Sequence, residues 1–197
     1  MPVETRVEGF DLDVFPMVFH PRYFGSSPIL ANFISSLNLA GKSFLDVGCG
    51  SGLIAMCAAR RGAHVMAVDI NPEAVRCTLA NAQRHGLQVS ARLSDLFSTI
   101  ENAEFDVIAF NPPFLQGIAQ SPVESAFYGG LNFDVIRRFA TDVRKHLQPG
   151  GSIYMILSTD IDVAAIEQIF REQRFEVSPA TSADWLLGER MVILCAQ

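Results

Sequence analysis

Residues 43–52 read Ser-Phe-Leu-Asp-Val-Gly-Cys-Gly-Ser-Gly, an apolar run that breaks into glycines at positions 48, 50 and 52. Ser43–Val47 reads as a short strand and Gly52–Arg61 as the helix that follows. The glycines between them predict a sharp strand-to-helix turn, whose main chain a ligand could approach without meeting a Cβ atom. The helix start beyond the turn offers unpaired N–H groups and a positive dipole end. A glycine-rich turn on its own is also consistent with a tight connection and nothing more.

Outward from this turn the pattern repeats. His64–Asp69 (HVMAVD) reads as a second strand, and Asn71 before Pro72 as the N-cap and first turn of a helix reaching about His85. Gln88–Leu93 alternates as a third strand, and Phe105–Phe110 (FDVIAF) is a buried fourth. Leu131–Leu147 has helical spacing and stops at Gln148-Pro149-Gly150-Gly151. Ser152–Leu157 is a fifth strand, Val163–Glu172 a helix, and Phe175–Ser178 and Met191–Ala196 the last two strands. Strands alternating with helices predict an α/β fold: a Rossmann-like, doubly wound, mostly parallel seven-stranded sheet with an antiparallel last strand. No repeat or linker divides the chain. The expectation is one domain over 1–197, with residues 1–40 a helical collar (Pro28–Leu37 its best helix) and 41–197 the core.

Composition limits what such a domain does. Apolar residues are 49% of the 197 and charged residues 18%, below the roughly 25% of ordinary soluble domains, so disorder is excluded. No apolar run approaches the roughly 18 residues of a membrane span. The N-terminal MPVETRVEGF lacks the basic and apolar pattern of an export signal, so a cytoplasmic location is expected. Cys49, Cys57, Cys77 and Cys195 lack metal-ligand spacing and read as reduced thiols, with no metal site. A net charge of −6 disfavours whole-surface binding of nucleic acid.

Two carboxylates decide between ligands of the turn. Asp69 closes the second strand 17 residues after Gly52, where it can accept both hydroxyls of a ribose. Asp46, leading the glycines, would repel a pyrophosphate and suits a cofactor carrying a cationic ammonium or sulfonium. On charge, S-adenosylmethionine (SAM) is favoured over NAD.

At these spacings DVGCGSG, AVDINPEAV, SDLF and NPPF together resemble the class I SAM-dependent methyltransferases. The resemblance implies that Asp46 and the Gly48–Gly52 turn (with Cys49 and Gly50) face the amino-acid part of SAM. It further implies that Asp69 binds the ribose, that Ile70 packs on the adenine, and that Asp95 and the Leu96 backbone meet the adenine's amino edge.

Asn111-Pro112-Pro113-Phe114 follows the fourth strand directly, and so falls at the carboxyl edge of the sheet beside that crevice. An amide or aromatic amine nitrogen is a poor nucleophile because its lone pair is delocalised. Two oxygens that accept its N–H protons draw it toward a tetrahedral geometry. The Asn111 side-chain oxygen and the Pro112 carbonyl, aimed by the ring, can do this, and Phe114 can stack on the planar group. The family resemblance agrees: [ND]PP[FYW] marks transfer to planar amino nitrogens. Residues 111–130 form a long connection of the kind that carries function, with Tyr128 a candidate for its entrance.

Among the acceptors this resemblance implies, a protein glutamine side chain is favoured. Gly129-Gly130, the helix through Arg137-Arg138 and Leu147-Gln148-Pro149-Gly150-Gly151 resemble the HemK/PrmC type, and Val18–Arg22 resembles its upstream segment. Ser26 or Ser27 would then stand for that family's Thr near SAM, and Gly25 or Phe24 replaces its Asp. Small eukaryotic and archaeal relatives work with an activator subunit, so an activator or a second copy of the chain is an expected partner. The alternatives are RNA or DNA amino groups, reached through Arg22, Arg137, Arg138, Arg144 and Lys145, a small-molecule acceptor, or a SAM-binding non-catalytic subunit. His20 lies in the segment expected to cover SAM, and Trp185 is expected in the core.

Overall fold

The computed structural model describes residues 1–23, 25–121, 124–184 and 190–197; Phe24 and Trp185 lie outside these. The central sheet has seven strands in the order β5-β4-β3-β6-β7-β9-β8. These are β3 (Ser43–Val47), β4 (His64–Asp69), β5 (Val89–Leu93), β6 (Phe105–Phe110), β7 (Leu147–Ser158), β8 (Val177–Asp184) and β9 (Arg190–Ala196). Strands β3 to β7 pair in parallel, while β9 runs antiparallel between β7 and β8. The mostly parallel, doubly wound sheet with a reversed final strand stands as expected.

Side-chain alternation along each strand divides the core into two layers. Phe44, Val65, Ala67, Val107 and Ala109 face α1 (Ser26–Ser36) and α2 (Leu53–Arg60). Leu45, Val47, Val68, Ile108 and Phe110 face α4 (Asp134–Asp142) and α5 (Val163–Glu172). Both faces of the sheet are covered, which is why these strands are nearly continuous apolar runs. Between β4 and β5, α3 (Pro72–Arg84) starts where the proline predicts, with the Asn71 side chain accepting from Glu73 N at 3.0 Å. Among the described residues no helix is long and apolar enough to cross a membrane.

The N-terminal segment corrects the helical collar. It begins with an antiparallel hairpin of β1 (Val3–Val7) and β2 (Phe10–Val14), and only then enters α1. Glu8 and Gly9 both have positive φ, 51° and 81°, the geometry of a tight hairpin turn. Phe10, Leu12 and Val14 alternate inward and join the same core layer as α1 and α2. The expected helix Leu131–Leu147 is also broken: Asn132 and Phe133 adopt left-handed backbone in a 3₁₀ turn (Leu131–Phe133) before α4, and a second 3₁₀ turn (Val143–His146) follows it.

Asn81, fully buried on α3, latches the hairpin to the glycine turn. Its Oδ1 accepts from Asp13 N at 2.9 Å, and its Nδ2 donates to Asp13 O at 3.0 Å and Ser51 O at 2.9 Å. Asn81→Ala leaves these buried groups unpaired and is expected to cost roughly 2–4 kcal/mol of stability in urea denaturation. A cost under about 1 kcal/mol would mean that the latch is not needed.

Candidate active site

In this topology β3 runs outward to β4 and β5, and the chain then returns to the other side of β3 as β6. The carboxyl ends of β3, β4 and β6 therefore surround a crevice at the switch point. A cavity of about 480 Å³ occupies it.

The glycine turn forms its floor. Gly48 N and Cys49 N donate to Val68 O at 2.8 and 3.1 Å, binding the turn to the end of β4. Thr78 Oγ1 donates to Gly50 O and Cys49 Sγ, each at 3.2 Å, binding it to α3. Gly50 has φ +52°, and a Cβ there would meet nothing within 4 Å; since Gly50 lines the cavity, its missing side chain leaves room for a ligand. Gly52 is different, since a Cβ would lie 3.0 Å from the Thr78 backbone. It serves the packing of α2 on α3 and does not line the cavity.

Asp69 ends β4 at the cavity wall. Its Oδ2 accepts from Gly50 N and its Oδ1 from Asn71 N, both at 2.9 Å. Burial pushes this carboxyl above the usual range, while the N–H groups of Asn71, Gly50 and Ile70 oppose that shift. A carboxylate has about four acceptor directions, so beyond these backbone donors it keeps capacity for a ligand hydroxyl. Next to it Ile70 is 57% exposed at the cavity edge, a bare apolar surface of the kind a planar base covers. These features fit the nucleoside of SAM.

Asp46 is placed otherwise than expected. It is fully buried and absent from the cavity wall. Its Oδ2 accepts from Ala55 N at 3.0 Å, satisfying an unpaired N–H in the first turn of α2 from beneath. Oδ1 has no partner among the described residues. Asp95 and Leu96 do line the cavity, but the Asp95 carboxylate is ion-paired with Arg138 Nη2 of α4 at 2.6 Å. That pairing had no signal in the sequence, because the two residues lie 43 apart.

Asn111, Pro112 and Phe114 line the cavity from the end of β6, facing Asp69 and the glycine turn. Asn111 Nδ2 donates to Ser26 Oγ at 3.1 Å and Ser27 Oγ at 3.0 Å, at the start of α1. The 111–130 segment folds back on itself. Leu115 N donates to Phe127 O and Gly129 N to Leu115 O, and Gly117 and Gly130 exchange backbone hydrogen bonds. A Cβ on Gly129 would overlap the Pro113 carbonyl oxygen. Tyr128, 37% exposed, lines the cavity from this segment. From the N-terminal side Met17, Phe19 and Tyr23 complete the wall, whereas His20 stacks on Tyr23 at 4.0 Å and does not line it.

Residues 23–178 match the model of the methyltransferase small domain family. A Methanocaldococcus jannaschii protein named as a candidate protein N5-glutamine methyltransferase is 34% identical over 160 residues, spanning 78% of this chain and 79% of that one. Two solved structures share the fold. One is the 16S rRNA N2 methyltransferase of T. thermophilus in complex with AdoMet and guanosine, with a TM-score of 0.74 and 22% identity. The superposition takes in 100% of this chain, which spans half of that protein (50%). The other is an E. cuniculi two-protein complex for methylation of the eRF1 translation termination factor, with a TM-score of 0.72 and 20% identity over 92% of this chain and 98% of that one.

Asp46 makes a pH signature. Burial, with the nearby charge of Asp69 adding to it and the Ala55 N–H opposing, raises its carboxyl to about 8 from 3.8. The folded protein thus holds a proton that the unfolded chain releases, so Asp46 costs stability as pH rises from about 4 to about 8. Asp46→Asn removes that cost. In thermal denaturation its advantage over the parent is expected to grow across this window and level off above it; a pH-independent advantage would contradict the assignment.

Proposed function

The chain belongs to the methyltransferase small domain family, and from that membership we propose that it transfers a methyl group from SAM to the side-chain amide nitrogen of a protein glutamine. The observation that carries this reading is a single cavity lined by Asp69, Gly50, Asn111, Pro112 and Phe114. When bound, SAM supplies an electrophilic methyl on a sulfonium, which departs as a neutral thioether.

The roles of the chain's own residues follow from their positions. Asp69 takes the ribose hydroxyls while remaining held by Gly50 N and Asn71 N, and Ile70 supports the base. Asn111 Oδ1 and the Pro112 carbonyl accept the two amide protons of the acceptor, localising its lone pair toward the methyl carbon. Phe114 covers the amide plane. No strong base is called for, because the nitrogen becomes acidic once it carries the methyl and positive charge. Positioning at near-attack distance supplies most of the rate.

A protein acceptor is favoured over RNA by the fate of the basic residues. Arg138 is paired with Asp95, Lys145 with Asp142 at 2.8 Å, and Arg137 Nε with Asn132 O at 2.9 Å. Arg144 donates to the Gln173 and Arg174 carbonyls and stacks 3.9 Å over Phe175. Cations already engaged within the chain release few counterions from a phosphate backbone. The glutamine-directed name of the M. jannaschii relative supports the same acceptor. A second protein subunit, as in the E. cuniculi assembly, is part of this proposal.

Two substitutions separate cofactor from acceptor. Asp69→Ala is expected to weaken SAM at least about 100-fold in calorimetry, through loss of two charge-assisted hydrogen bonds; unchanged affinity would remove the ribose assignment. Asn111→Ala is expected to bind SAM normally while turnover falls at least about 100-fold. Turnover is read as tritium from labelled SAM in cell extract, with protease or RNase treatment identifying the acceptor. Label that resists protease but is lost to RNase would overturn the protein reading.

A further inference from the structure

The Asn111 side chain can serve an amide acceptor in only one of its two orientations. With Oδ1 toward the acceptor it receives a proton. Turned over, it would aim two N–H donors at a group that itself presents N–H donors. Asn111 Nδ2 is engaged by two hydroxyls, Ser26 Oγ at 3.1 Å and Ser27 Oγ at 3.0 Å. Each takes one proton, so both donors of the amide are satisfied. Ser26 and Ser27 are 3% and 6% exposed and belong to the first turn of α1, a rigid element packed on α2 and on the sheet through Leu30, Ala31 and Ile34.

We propose that Ser26 and Ser27 are positioning residues for methyl transfer, anchoring the Asn111 side chain by its Nδ2 edge to the first turn of α1 and leaving Oδ1 to the acceptor nitrogen. The inference rests on the acceptor role of Asn111 given above. Without the hydroxyls, the part-buried Nδ2 protons lose their partners. The amide then turns to find others in the cavity, where it competes with the acceptor. The cost falls on the reacting geometry, and SAM, held at Asp69 and the glycine turn, is bound as before.

The test is a double-mutant cycle with Asn111→Asp. A carboxylate has two equivalent oxygens and no donor, so its orientation needs no fixing. In the parent, Ser26→Ala with Ser27→Ala is expected to lower kcat roughly 10- to 100-fold, with SAM affinity and thermal midpoint near the parent's and with recovery in Ser26→Thr/Ser27→Thr. In the Asn111→Asp background the same pair is expected to change kcat by less than about twofold. An equal serine penalty in both backgrounds, or a loss confined to SAM affinity, overturns the proposal.

The contact is also read without turnover. The Asn111 side-chain amide protons, identified by NMR through their absence in Asn111→Asp, should be protected from exchange in the parent and unprotected in the alanine pair. Unchanged protection overturns the proposal, whatever the activity of the Asp variant. Asn111→Ala separates the two levels. If it keeps turnover, the acceptor reading itself fails; if it is inactive while the serine pair is fully active, only the serine role fails.

Discussion

The Asp69 carboxylate holds together the elements that build the cavity. One oxygen receives Gly50 N and the other Asn71 N, so the glycine turn after β3 and the start of α3 after β4 are fixed to the same group. Burial makes ionisation of this carboxyl unfavourable, and the backbone donors offset part of that. The same two bonds leave its remaining lone pairs available to a ligand. A shortened side chain would remove the link between Gly50 and Asn71, leaving the turn held to the end of β4 through Val68 O alone. One side chain thus both ties the turn to α3 and faces the cavity.

Most of the sheet was legible because parallel strands covered on both faces leave a simple trace. HVMAVD and FDVIAF have no polar face, and the glycines and Pro72 mark where the strands give way to helices. The hairpin was missed for the opposite reason. VETRVEGFDLDV is charge-rich, and its period-2 signal at Phe10, Leu12 and Val14 is short. Helical spacing is clear only at Pro28–Leu37, and the left-handed pair Glu8–Gly9 makes a turn well before it. Asp46 shows the limit of charge reasoning. Its place ahead of the glycines suggested a cation-binding role, yet its side chain points beneath α2, and one strand position decides which side of the turn a residue serves. The pairing of Asp95 with Arg138 and the serines on Asn111 are contacts across the fold, for which a linear pattern carries no signal.

The surface charge has a matching explanation. The acidic excess does not create a broad basic face anywhere on α4, because its arginines and the lysine after it are spent on neighbouring carboxylates and carbonyls. Around the cavity, beside the charged Arg138 and Asp160, several exposed side chains are apolar or aromatic. Met17, Tyr23, Ile70 and Leu115 are 47%, 69%, 57% and 44% exposed. Such a rim suits a partly apolar protein segment better than a phosphate backbone.

The 111–130 segment combines one rigid point with a permissive exterior. Gly129 lies against the Pro113 carbonyl with no space for a side chain, so this residue fixes how the segment returns to the sheet. Outward, Leu115 and Ile118 of the same segment are 44% and 69% exposed. Substitution at these outer positions leaves the close approach of Gly129 to Pro113 untouched. The segment thus joins a fixed hinge to an open exterior, so its outer side chains can vary without moving Pro112 and Phe114 on the cavity wall.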